Sequence, residues 1–126
     1  MTEYISFDFL DEHNSMAISS LNNCKSIALD RLNKGIENDF DSDELDFFRN
    51  RVDIYNRLVP LVDERNSLFS SSDFKEIIHS IKTNRAWIYL ELMDCVNSFE
   101  SATRQEHFQR LVNKYDSFIN ILTENI

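Results

Sequence analysis

Apolar residues recur along most of this chain at steps of three and four, the spacing that returns to one face of an α-helix. From Asn14 to Glu37 the rhythm is kept by Ile18, Leu21, Cys24, Ala28, Leu32 and Ile36. A second run, Leu45, Phe48, Val52, Tyr55, Val59 and Val62, follows Asp41, which forms a capping-box pattern with Glu44 three residues on. A third starts behind the polar stretch Ser70 to Asp73 and carries Phe74, Ile78, Ile81, Ile88, Leu92, Cys95 and Phe99, reaching Phe99 or Glu100. The fourth opens on a second capping-box match, Thr103 to Glu106, and continues through Phe108, Leu111, Tyr115, Phe118 and Leu122.

Pro60 falls inside the second run. It has no N–H to donate and its ring crowds the preceding turn, so a kink or break is expected near it. Short links between helices favour antiparallel neighbours, and the pattern therefore predicts an all-α protein, an antiparallel bundle of about four helices in a single domain over residues 1–126. The long seams also fit an antiparallel homodimer. Only the first residues depart from helical spacing: in "YISFDFL", Ile5, Phe7 and Phe9 alternate with polar positions, as in an extended segment or a short amphipathic turn. No second strand is evident in the sequence, so a sheet is not expected.

Composition supports this reading. The chain has 126 residues, suited to one domain, and a single Gly and a single Pro, whereas a β-rich fold of this size recruits both repeatedly for its turns. A hydrophobic fraction of 42%, with ten Phe, supplies enough apolar surface to offset chain entropy. Cys24 and Cys95 lie far apart, in no metal-binding spacing and within apolar stripes, and read as buried free thiols. The first residues carry acidic side chains and no basic one, the wrong pattern for a targeting signal, and no apolar run approaches the roughly 18 residues of a membrane span. A cytoplasmic location is the expectation.

Charge changes the picture more. Formal net charge is -9, which opposes binding to nucleic acid or to an anionic membrane. Residues 1–48 hold 11 acidic and 3 basic side chains, residues 49–126 hold 11 and 10, so the excess belongs almost wholly to the first part. Its densest block is Glu37, Asp39, Asp41, Asp43, Glu44 and Asp46, interrupted by Phe40 and Phe47. Two or three of these carboxylates suffice to cap a helix and complement its dipole. Six exceed that need, and aromatic rings among rim charges resemble an interface where an anchor fills a pocket while charge steers encounter.

Other chemistries are incomplete. Asp39, Asp41 and Asp43 open like a calcium loop, but Glu44 stands where that loop needs Gly and Asn50 where it needs a bidentate Glu. Glu76 and His79 have the spacing by which helical bundles present a metal pair, yet no second pair exists. One glycine cannot build the loops of nucleotide or nucleophile sites, so no catalytic residue, metal or cofactor is assigned. Trp87 and Tyr89 sit two apart on a helix, so one of them should leave the seam. The sequence points to a protein-binding inhibitor of the immunity-protein or antitoxin kind, neutralising a basic partner such as a toxin or nuclease through Glu37, Asp39, Phe40, Asp41, Asp43, Glu44, Asp46 and Phe47. The alternatives are a homo-oligomeric structural or adaptor bundle, and a helical metal protein or enzyme using Glu76, His79 and Glu106.

Overall fold

A computed structural model describes residues 3–99 and 101–126; Met1, Thr2 and Glu100 lie outside the described residues. In chain order the elements are β1 (Tyr4–Ser6), α1 (Asp11–Glu37), α2 (Ser42–Asp63), β2 (Leu68–Ser70), α3 (Ser71–Asn97) and α4 (Ala102–Thr123). The protein is all-α apart from one small ribbon, and among the described residues its helices are the four that periodicity predicts. They form two helical hairpins in two compact units. One unit is Asp8–Ser67; the other joins the segment ending at Phe7 to Leu68–Ile126.

In the first unit α1 packs on α2 through small side chains. Ala17, Leu21, Cys24, Ala28 and Gly35 are buried on α1, facing a buried set of Val52, Tyr55, Leu58 and Val62 on α2. Ile36, placed in the seam by its spacing, is 52% exposed. At 100° per residue, Ala17 and Gly35 share the centre of the buried face and Ile36 lies one position further round. On α2, Leu58 is fully buried and Val59 half-buried. The helix α1 starts at Asp11, three residues before the expected Asn14, with Asp11 and Glu12 complementing the dipole in its first turn.

Asn14 is instead buried inside the hairpin, where its side-chain amide donates to the Val62 carbonyl at 2.7 Å and, more weakly, to the Phe9 carbonyl at 3.5 Å. This ties the start of α1 to the end of α2. Of the two outcomes open at Pro60, a restart beyond Val59 does not occur: one helix, with Pro60 in its last turn, reaches Asp63. The proline carbonyl still accepts from the Glu64 N–H at 2.9 Å, so the helix closes normally one turn past the ring.

In the second unit the expectation that no sheet forms is corrected. β1 pairs antiparallel with β2, with Ile5 opposite Phe69 and Ser6 opposite Leu68, and the Ser71 N–H extends the ladder to the Glu3 carbonyl at 2.8 Å. The partner strand was hidden because its last residue, Ser70, doubles as the N-cap of α3, accepting from the Asp73 N–H at 3.2 Å. Rings then cover the ribbon: Phe74 stands 5.8 Å from Phe7 and 6.3 Å from Phe69.

The hairpin of α3 and α4 buries Phe74, Ile77, Ile78, Ile81, Leu92 and Cys95 against Val112, Tyr115, Phe118 and Leu122. Its polar pin is Asn84, whose amide donates to the Tyr115 hydroxyl at 2.8 Å with both residues buried. Beside it the Arg85 guanidinium grips both carboxylate oxygens of Asp116 at 3.0 and 3.3 Å. α3 ends at Asn97, short of the expected Phe99, which is 93% exposed with a left-handed φ of 54°. α4 begins at Ala102, one residue before Thr103, because the Ser101 hydroxyl accepts from the Arg104 N–H at 3.3 Å and caps it.

Removing one partner of a buried hydrogen bond costs about 1–3 kcal/mol. Asn84→Ala and Tyr115→Phe should each lower unfolding free energy by that order in chemical denaturation. The double variant should cost less than the sum, since the two changes remove one shared bond.

Candidate functional site

The acidic block occupies the tip of the α1–α2 hairpin, and most of its residues have a local structural task. α1 finishes in a Schellman arrangement: the Asn38 N–H returns to the Lys34 carbonyl at 3.0 Å and the Phe40 N–H to the Gly35 carbonyl at 2.9 Å. Asp39 takes the left-handed position that glycine usually fills, at φ 53°. Asp and Asn tolerate this region better than other side chains, which lets the turn form in a chain with one glycine. That glycine lies one turn earlier, within α1. A β-carbon on Gly35 would stand 2.9 Å from the Phe40 ring and 3.0 Å from Leu45, so its bare backbone is what allows both side chains to close the tip.

Asp41 is the N-cap of α2, its carboxylate accepting from the Glu44 N–H at 2.9 Å, as the capping pattern predicts. Asp43 and Glu44 fill the first turn, where the helix dipole favours negative charge. Asp46 pairs with Arg49 one turn on, at 3.2 Å, with both side chains half exposed or more. Such a pair contributes little in water. Glu37 ends α1, where the dipole disfavours it. All six carboxylate residues are exposed.

The two rings of the block differ. Phe40 is 41% exposed and lies over Gly35, so part of its surface is committed to closing the hairpin. Phe47 is 59% exposed, and its recorded ring neighbour is Phe48, met edge-on at 5.4 Å. On α2, Asp43 and Glu44 lie one turn before it and Asp46 is adjacent, so this ring sits in water among carboxylates.

The other candidate residues do not converge. From Ser42 onward the would-be calcium loop is helix, which spreads its donors along an axis and does not fold them around an ion. Among the described residues no three His, Cys, Asp or Glu side chains come together as a metal-holding group, and Glu76, His79 and Glu106 form none. His79 lines a shallow depression with Lys75, Ile78, Lys82 and Ile126, while Glu106 lines another with Leu92, Met93 and Val96. Cys24 and Cys95 are buried and form no disulfide among the described residues. Trp87 and Tyr89 are both exposed, at 49% and 40%; Tyr89 lies under the Arg85 guanidinium, 5.1 Å from its ring centre. That at least one would leave the seam is met, and both do: the buried line on this part of α3 runs through Asn84 and Leu92, and at 100° per residue Trp87 and Tyr89 flank it on either side.

No helix among the described residues is long and apolar enough to cross a membrane. Sequence reasoning passed over one group, the exposed cations Lys75 and Lys82, although their spacing around His79 was open to view. No protein-family model, curated protein or solved structure matches the chain.

The cap gives a direct test. Asp41→Ala should lower stability by about 1 kcal/mol, and Asp41→Asn should leave it nearly unchanged, because Asn caps about as well as Asp. Thermal melts of the two variants measure the difference.

Proposed function

We propose that this chain is a small cytoplasmic binding protein with no catalysis of its own, which neutralises a basic partner such as a toxin or nuclease in the manner of an immunity protein or antitoxin. The observation that carries the reading is Phe47, a large ring 59% exposed and bordered by Asp43, Glu44 and Asp46. Hydration of that ring is unfavourable, and nothing in the hairpin's own packing requires it to face solvent. A cationic pocket would remove it from water while its carboxylate rim pairs with lysines or arginines.

Charge is also the part of the tip that its folding can spare. Asn retains the left-handed tendency needed at residue 39 and the capping oxygen needed at residue 41. Local structure is therefore served without the negative charges, and these remain available to attract a partner. Among carboxylates that serve no cap, Glu37 opposes its own helix dipole, as a charge placed for an outside partner would. The same repulsive surface disfavours nucleic acid and anionic lipid.

Exchange of Asp39, Asp41, Asp43 and Asp46 together for Asn separates charge from structure. The measurement uses the partner retained from the organism's own extract on the immobilised chain at low salt. Association with it should be about tenfold slower for the quadruple variant near 0.15 M salt, where screening confines exposed charges to about 8 Å, and the difference should vanish at 1 M. Phe47→Ala should instead hasten dissociation, roughly thirtyfold for an anchor of about 2 kcal/mol. A folded quadruple variant that associates at the wild-type rate, with the wild-type salt dependence, refutes the assignment.

A further inference from the structure

The exposed lysines of α3 form the electrostatic counterpart of the tip. Lys75, His79 and Lys82 recur at steps of four and three, which sets them along one stripe of the helix, and all three are exposed. Ile78 and Ile126 floor the hollow of about 260 Å³ that they border. Neither lysine makes an ion pair among the described residues, whereas Arg49, Arg85 and Arg110 each have a carboxylate within 4.0 Å. In a chain of net charge -9, two lysines with no carboxylate within 4.0 Å among the described residues, over an apolar floor, are a place where negative charge is favoured.

The tip has the opposite construction, an apolar ring rimmed by carboxylates. Lysines seven positions apart stand about 10 Å from each other along the helix, a span that admits a phenyl ring between them. We infer that the hollow on α3 receives the acidic α1–α2 tip of a second copy of this chain, with Phe47 over Ile78 and Ile126 and the Asp43 and Asp46 carboxylates meeting Lys75 and Lys82. The inference rests on reading the tip as a binding surface, and it names the chain itself as one of its partners. Charge complementarity selects the second copy, because each copy carries both halves. Two chains of charge -9 repel at long range, but at 0.15 M salt charges more than about 8 Å apart are largely screened while contacts across an interface remain. Pairing is therefore favoured at moderate salt and lost near 1 M, where the screening length is about 3 Å.

Sedimentation velocity on the full chain tests this with two charge-reversed proteins, one carrying Lys75→Glu and Lys82→Glu, the other Asp43→Lys and Asp46→Lys. At 0.15 M salt the wild-type mass should rise with concentration above the 14.9 kDa of one chain, and return to it at 1 M. Each reversed protein alone should remain monomeric. Their equimolar mixture should associate again, since each mixed contact then joins opposite charges; this recovery also shows that both proteins are folded. A wild-type chain that stays monomeric to millimolar concentration overturns the inference, as does a mixture that fails to associate while both proteins keep their helical spectra. If self-association is absent yet the Asn-substituted tip still slows capture of another basic protein, only the second copy is excluded and the tip keeps its role. If the Asn substitutions alter neither process, the reading of the tip fails as well.

Discussion

One buried asparagine amide in each hairpin fixes where its two helices stop sliding. Apolar seams with a three-and-four rhythm are nearly self-similar along their length, so burial alone distinguishes poorly between registers one turn apart. An amide in the interior does distinguish them, because a slipped register leaves its N–H groups without acceptors in a medium where that is costly. Asn14 meets the Val62 carbonyl in one hairpin and Asn84 the Tyr115 hydroxyl in the other. With Asn14 engaged at the open end of the first hairpin, the closed end is determined too. Gly35 then arrives beneath Phe40 and Leu45, and the four residues 38–41 are enough to turn the chain. The acidic tip thus takes its shape from a bond made near the far ends of α1 and α2.

The tip also shows how structure and charge share residues. Asp39 and Asp41 solve problems of backbone geometry, one a left-handed turn and the other an orphaned amide. Neither problem needs a full negative charge. A chain with its single glycine committed to α1 must fill its turns with other residues, and Asp fills them while adding charge. The density of carboxylates is therefore partly a consequence of glycine scarcity, and the part that is not falls on Glu37, Asp46 and the surroundings of Phe47.

Helices were legible in the sequence because long amphipathic periodicity survives local irregularity. Ends were less so: Thr103 matched a capping box that Ser101 in fact supplies, and Phe99 matched a seam that had already ended at Asn97. The β1–β2 ribbon was missed because three residues carry too little pattern, and because Ser70 signals a helix start as strongly as a strand end. At the tip, Asp41 was readable from spacing alone. What spacing does not reveal is which of two nearby rings is committed to packing, and that distinction between Phe40 and Phe47 depends on the bare backbone of Gly35 three-dimensionally beneath one of them.

The ribbon has a consequence for how the chain is put together during synthesis. Ser6 and Leu68 are strand partners, so the segment between them, which contains α1 and α2, leaves and re-enters at neighbouring points. It is an inserted hairpin, and its own contacts are complete once residue 67 has emerged. β1 is made first yet waits for more than sixty residues before its partner exists. Closing so long a loop costs several kcal/mol if the intervening chain is slack, and much less once it has already folded into a hairpin whose ends lie together. The ribbon therefore closes at the least entropic cost once the hairpin between its two strands has formed, so the earlier strand gains from waiting.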